Sequence, residues 1–452
     1  MATGKFLKTI IFTLLALLLP LQISAQKSVS ITLQNAVDLA LQKNHLLNVK
    51  KYQVEEKRQK VNEDRIKFLP VVSVGASYQY NTNLPSLTVT RGQFGELPLG
   101  SVVIPLPSVD EVLSFGTHDN YNAGVTLYQP VSQLGKINAG VNVSRTEMEI
   151  TQAEETKAKR QVRQLVEKLY YGLLISQKQV EEAEIRIELA ESRLKDVESA
   201  LAAGKTTESS KYGLAASVAE EQQNLLKVQI QYDDYASDLK QIAGIDPDSE
   251  LIPEPVSSDD LVVPAASVDT SLSMAASGNS ELKIAALVSS KAGYSVKASQ
   301  FSYLPDIGLM GGYAYQKGTL IYPKNNAFIG ASLKWNLQDL LTNHTVQMQR
   351  SFAKREADEN LANTKEQVSK DISKAYRKLK QSEELLNVAE KALTYRKEDL
   401  KIQTDRHNSG LNLTTDLLIA KAAKAKAEAD YFSAQINHKI ALSDLQVLTG
   451  NY

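Results

Sequence analysis

Phe68-Leu69-Pro70-Val71-Val72-Ser73-Val74-Gly75-Ala76-Ser77-Tyr78-Gln79-Tyr80 has a second version in the same chain, Tyr303-Leu304-Pro305-Asp306-Ile307-Gly308-Leu309-Met310-Gly311-Gly312-Tyr313-Ala314-Tyr315, 235 positions further on. Both copies alternate. Val72, Val74, Ala76, Tyr78 and Tyr80 share one face of an extended strand, while Ser73, Ser77 and Gln79 share the other. The second copy places Ile307, Leu309, Tyr313 and Tyr315 on the matching face. The same offset of 235 joins Ala40 to Ala275, Asn44 to Asn279 and Leu47 to Leu282, so the helical stretch ahead of each strand is duplicated as well.

Downstream the offset becomes 206 and stays there. It relates Gly124 to Gly330, Val162 to Val368, Tyr170 to Tyr376, Leu194 to Leu400, Gly204 to Gly410 and Gly244 to Gly450. A constant offset over this length means that both halves build one structural unit under one length constraint. The change from 235 to 206 puts a 29-residue excess into the first half, between Asn81 and Tyr121. The return strands alternate too, with Ala123, Val125 and Leu127 on one face of the first and Ile329, Ala331, Leu333, Trp335 and Leu337 on one face of the second. A half-buried sheet on a globular core would show this pattern. So would a tilted membrane strand of about 10 residues with aromatics near its ends.

From Ser132 to Ala203 the sequence has no proline and, past its first turns, one interior glycine, Gly172; from Gln338 to Ser409 it has neither residue. At 1.5 Å per residue, about 70 helical residues reach roughly 105 Å. Each run stops at a glycine, Gly204 or Gly410, and a shorter helix returns. Helices from about 44 to 67 and from about 279 to 302 make up the missing length of the return. The domain plan is a signal peptide at 1–25, a first repeat at 26–244, an inter-repeat linker at 245–270 and a second repeat at 271–452. The first repeat carries strands at about 71–81 and 122–131 and helices at about 132–203 and 210–243. The second carries strands at about 306–316 and 328–337 and helices at about 338–409 and 415–449.

The signal peptide rests on Lys5 and Lys8, the apolar run Ile10 to Leu19 and the small residue Ala25 before Gln26. Its removal takes the formal net charge from −1 to −3. After Ala25 no apolar run approaches the roughly 18 residues of a spanning helix. The mean hydropathy of −0.25 argues against a bundle of membrane-spanning helices, and the near balance of 51 basic and 52 acidic side chains gives no field for nucleic acid. With no cysteine among 452 residues, disulfides, thiolate metal sites and lipid anchors on cysteine are excluded. The five histidines, His45, His118, His344, His407 and His438, lack ligand spacing. No phosphate-binding glycine loop and no nucleophile arrangement occurs, so neither catalysis nor a cofactor is expected, and any energy coupling lies in a partner. Four strands cannot close a barrel, and open edges inside hydrocarbon leave backbone groups unpaired, so strands that span a membrane require several chains per barrel.

In duplicated architecture, in Leu-Pro ahead of a strand at Leu69-Pro70 and Leu304-Pro305, and in the tip Ser409-Gly410-Leu411-Asn412-Leu413-Thr414-Thr415-Asp416, the chain resembles the TolC family of outer-membrane efflux proteins. The endings Leu448-Thr449-Gly450 and Ile242-Ala243-Gly244 also look like the family's repeat ends. The resemblance covers essentially all of the mature sequence. It implies an α+β membrane protein: a homotrimer whose four strands per chain form one twelve-stranded β-barrel, surrounded by outer-membrane lipid and continued by a long α-helical hairpin tunnel into the periplasm. It implies docking to a periplasmic adaptor (membrane fusion) protein and, through it, to an inner-membrane pump of RND, ABC or MFS type. The linker would contribute to an equatorial belt. The 82–119 segment would be a long extracellular loop or an excursion without a role.

The resemblance also implies a pore aperture at the helix tips. Asp416 matches the position of an aperture carboxylate, with Thr415 beside it; three copies would disfavour anions and attract cations. A carboxylate at this position equally suits the start of a helix. Asn412 stands where the family pattern has an arginine, Ile419 where it has a second acid, and Ser210 at the corresponding first-half position, so a charged latch between hairpins lacks its residues. Adaptor contact falls to the tips Gly204, Lys205 and Thr206, and Gly410, Leu411 and Asn412; the glycines also serve as helix caps. The alternative architecture is a periplasmic coiled-coil adaptor or structural protein without a barrel.

Overall fold

The computed structural model describes residues 28–256, 267–318 and 323–451. The signal peptide at 1–25 and the middle of the inter-repeat linker lie outside the described residues. By internal contacts the chain forms two compact units, and the division runs across both repeats. One unit comprises Met1–Lys50, Glu155–Ser280 and Gln367–Tyr452; the other comprises Lys51–Glu154 and Glu281–Glu366.

The first unit is helical. It holds α1 (Leu33–Lys43), α4 (Glu208–Ala243), α5 (Val268–Gly278) and α8 (Thr414–Thr449), with the later parts of α3 (Leu134–Ala202) and α7 (Gln338–Asn408). Thr32 caps α1 by accepting from the Asn35 amide at 3.2 Å, and Ser267, 235 residues on, caps α5 by accepting from Thr270 at 3.2 Å. Each cap satisfies an amide that the first helical turn leaves unpaired. The core gathers Ala36, Val37, Val166, Leu173, Leu239 and Ile436. Here β1 (Ser28–Ile31) pairs in parallel with β8 (Glu250–Pro253), so the start of the linker is stitched to the N-terminal strand. The buried Tyr170 hydroxyl sits 3.0 Å from the Ile31 carbonyl and 2.7 Å from that of Glu254, at the end of this pair. Burial pushes its pKa up to about 12. Arg160 gathers two helix ends, donating to the carbonyls of Gly278 at 3.1 Å and Gly450 at 2.9 Å.

The second unit holds a four-stranded antiparallel sheet in the order β10–β9–β7–β2, where β2 is Val71–Tyr80, β7 Asp119–Pro130, β9 Asp306–Lys317 and β10 Asn325–Lys334. Most of α2 (His45–Ile66), most of α6 (Ser280–Phe301) and the first parts of α3 and α7 belong to the same unit. β2 and β10 are edge strands, each paired on one side. Apolar residues of the sheet are open to the surroundings, with Val74 79% and Ile329 92% exposed. A sheet built for a soluble core would hide that face. β10 begins and ends three residues ahead of the expected 328–337, because its partner β9 starts at Asp306, opposite Lys334.

The 82–119 segment is not a plain loop. It folds into two nested two-stranded sheets, β3 (Ser86–Val89) with β6 (Glu111–Ser114), and β4 (Glu96–Leu99) with β5 (Val102–Pro105). Pro98 and Pro105 fit because every strand of a two-stranded sheet has a free edge.

Candidate functional site

The two helical hairpin tips of the first unit are built alike. α3 ends in a six-to-one turn in which the Lys205 amide donates to the Ala200 carbonyl at 2.8 Å and Gly204 donates to Leu201 at 2.9 Å. α7 ends the same way, Leu411 donating to Arg406 at 2.9 Å and Gly410 to His407 at 2.9 Å. The two glycines have φ of +69° and +70°, the left-handed conformation that such a turn requires and that a side chain resists.

Beyond the turns the tips differ. In the first, Ser210 Oγ lies 3.3 Å from Thr207 Oγ1, and Lys211 reaches back to Glu198 at 2.9 Å. The Glu198 hydrogen bond raises the Lys211 pKa. Lys205 is exposed and Thr206 half-buried. In the second, Asn412 is a hub: Arg406 Nε donates to its Oδ1 at 3.0 Å, its Nδ2 donates to Gln403, and its carbonyl lies 3.3 Å from His407 Nδ1. Where the family resemblance would have an arginine, this chain therefore has an amide that braces its own turn. Leu411 projects freely, 70% exposed.

Asp416 is exposed, and its Oδ2 accepts from the Leu413 amide at 3.2 Å, at the start of α8. Ile419 lies one turn on, 42% exposed. Thr415 joins the hairpins: its hydroxyl donates to Asp196 of α3 and lies 3.4 Å from Ser192 Oγ. Asp196 and Ser192 escape sequence reasoning because their role depends on which helices are neighbours. The structure brings Thr415 to the first hairpin, and brings Asn412 to Gln403, Arg406 and His407. It shows no hydrogen bond joining Asp416, Ile419 and Ser210.

No helix among the described residues is long and apolar enough to cross a membrane. The membrane-grade surface is the sheet. An open sheet with an exposed apolar face, in one chain with helices of 69 and 71 residues that end in matched turns, is the architecture that the family resemblance implies for an outer-membrane channel. The chain belongs to the outer membrane efflux protein family, whose model matches residues 36–245 and 271–451.

Solved structures agree on the fold. VceC of Vibrio cholerae, an outer membrane protein, is 17% identical over 92% of this chain and 96% of its own, with a TM-score of 0.71. CusC, described in terms of transmembrane channel formation, is 13% identical over 93% and 92%, with a TM-score of 0.71. The CmeC outer membrane channel of Campylobacter jejuni is 16% identical over 93% and 85%, with a TM-score of 0.69. No curated protein sequence matches the chain. The resemblance to the TolC family is thus a membership, the protein is an outer-membrane efflux channel with a periplasmic helical extension, and the coiled-coil adaptor alternative falls away.

Proposed function

We propose that three copies of this chain form one passive exit duct, with a twelve-stranded barrel in the outer membrane and a helical tunnel in the periplasm. The observation that carries this reading is a sheet with an exposed apolar face and two unpaired edges. Inside hydrocarbon each unpaired backbone group costs several kcal/mol, so the edges must meet other edges. The duct docks by Gly204, Lys205, Thr206, Gly410, Leu411 and Asn412 to a periplasmic adaptor, and through it serves an inner-membrane pump of RND, ABC or MFS type. The pump supplies the energy and chooses the cargo. Asp416, with Thr415, Asn412, Ile419 and Ser210 around it, forms the aperture that docking widens. Support comes from the family, from the matched turns and from the exposed side chains at both tips.

Heat-resistant trimers in outer-membrane fractions and discrete conductance in planar bilayers are the expected results. A monomer that stays soluble without detergent sinks the reading. Photo-crosslinkers at Lys205 and Leu411 should capture a periplasmic adaptor; capture from strand positions alone would put the docking site elsewhere.

A further inference from the structure

The sheet of this chain is unfinished at β2 and β10, and the duplication specifies what completes it. In the first repeat β2 pairs with β7, Gly75 opposite Gly124. In the second β9 pairs with β10, Met310 opposite Gly330. Adding 235 to the β2 number and 206 to the β7 number turns the first pairing into the second, residue for residue. The offsets found in the sequence are therefore also the operation that relates the two registers.

One junction remains. β7·β9 joins the second strand of the first repeat to the first strand of the second, with Thr126 opposite Gly312 and Val125 opposite Tyr313. The same operation carries β7 onto β10, and carries β9 onto the β2 of another copy. Building on the trimeric duct proposed above, we infer that β10 of one protomer pairs antiparallel with β2 of the next, Ser332 opposite Ser77 and Ala331 opposite Tyr78.

The side chains agree with this register, although they played no part in obtaining it. Directly opposed residues point to the same face of a sheet. The register sets Leu333 against Ala76 and Ile329 against Tyr80 on the apolar face, and Ser332 against Ser77 on the polar face. A one-residue slip would turn the apolar residues of one strand onto the polar face of the other, opposite serine, glutamine, asparagine or glycine. A slip of two would set Tyr78 against Leu333 or Ile329, where the inferred register sets it against Ala331.

Within the helical unit the operation gives independent agreement. Leu418 and Ile436 of α8 are buried, 4% and 0% exposed, and Asp444 of α8 holds Lys168 of α3 at 2.9 Å. Their counterparts 206 residues earlier, Tyr212 and Ile230 on α4, are bare at 68% and 60%. The counterpart of Asp444 is Asp238 on α4, and that of Lys168 is Lys374 on α7. Both are exposed, and neither has an ion-pair partner among the described residues. What α3 is to α8 within one chain, α7 of one copy is to α4 of the next.

The chain has no cysteine, so introduced pairs report alone. Two doubly substituted proteins test the register, S77C with S332C and Y78C with A331C. One of two adjacent opposed pairs is the non-hydrogen-bonded one, where the Cβ atoms come closest. S332C with Gly75→Cys and S332C with Gln79→Cys are slipped controls, diagonal neighbours about 7–8 Å apart and beyond disulfide reach. After oxidation in outer-membrane fractions, at least one matched pair should give covalent dimers and trimers on denaturing, non-reducing gels, and the slipped pairs none. Heat-resistant trimers that crosslink only in a slipped pair, or in neither matched pair, overturn the register while leaving the duct intact. Absence of heat-resistant trimers from the unsubstituted protein overturns the duct and the register together. D238K and K374E should each lower the temperature at which trimers dissociate on gels, and the double reversal should recover it. Equal dissociation in single and double variants removes the α4–α7 contact from the inference.

Discussion

Thr415 carries the hydrogen bonds between the second hairpin and the first at the tips, and a single hydroxyl is easily deleted. Replacing it by valine keeps the shape and leaves Asp196 without that donor. A hydrogen bond to a charged group contributes about 1.5–3 kcal/mol, so each protomer should favour a loosened tip by roughly tenfold or more. The expected outcome is more frequent opening of single channels in planar bilayers, with Thr415→Ser close to wild type; equal opening by all three proteins would discard the link as a closure element. Asp416 accepts from the Leu413 amide and, in the proposed duct, charges the aperture, and one substitution separates the two. Asp416→Asn retains an oxygen to accept from the Leu413 amide but loses the charge, so cation preference should fall while thermal stability stays within about 0.5 kcal/mol. Selectivity that stays the same would remove Asp416 from the aperture. His438 offers a pH test. It is buried in α8 with Nδ1 3.1 Å from Ser382 Oγ, and desolvation lowers its pKa despite the attraction of Glu383, with Lys380 and Lys439 lowering it further. The folded state therefore favours the neutral ring. This contribution is complete above the unfolded value near 6.5 and is lost as the pH falls below it. Melting temperatures should accordingly drop more steeply below about pH 6.5 in the native protein than in His438→Gln, and parallel curves would show that the histidine is not responsible.

At the level of elements, the hairpin turns and the nested sheets respond differently to change. Gly410→Ala puts a side chain at φ +70° and should cost about 1 kcal/mol, whereas Gly140→Ala, inside α3 with open space around it, should gain about 0.5–1 kcal/mol. Melting temperatures of the two variants should move in opposite directions; the same sign for both would mean that tip geometry does not limit stability. The nested sheets are fastened at their base, where Asn81 donates to the His118 carbonyl at 2.8 Å and Thr117 to that of Gly318 at 3.0 Å. Removing residues 85–115 and closing the gap with a short turn spares both bonds, so heat-resistant trimers should persist; their loss would make the nested sheets part of the assembly. The sequence revealed the 29-residue excess but not its structure, since Pro98, Pro105 and Pro107 read as loop and two-stranded sheets give little periodic signal. The β1·β8 pair was equally hidden, because four-residue strands separated by more than 200 positions leave no local trace. What could be read was whatever repeats: strands that alternate, helices that end at glycine, and two offsets that hold. At the site, Asp416 and the tip glycines could be found because a motif surrounds them. Asp196 could not, since its partner lies on another helix 219 positions away.

For the molecule as a whole, the two compact units cut across the repeats. Each repeat gives its long strands to one unit and its hairpin tip to the other, so neither repeat is a free-standing half. In the proposed duct, where copies share a barrel, stoichiometry becomes a measurable property of the pore. Asp416→Asn is suited to counting because it removes a charge while keeping the cap. If wild-type and variant chains are produced in equal amounts and assemble at random, a threefold pore holds three, two, one or no Asp416 carboxylates in proportions of about 1:3:3:1. Single-channel recordings should then resolve four classes of cation preference, the two mixed classes together making up about three quarters of the channels. A pore made by one chain would yield only the two parental classes, and a dimeric pore three, so the number of classes tests the trimer without reference to its register or to any docking partner.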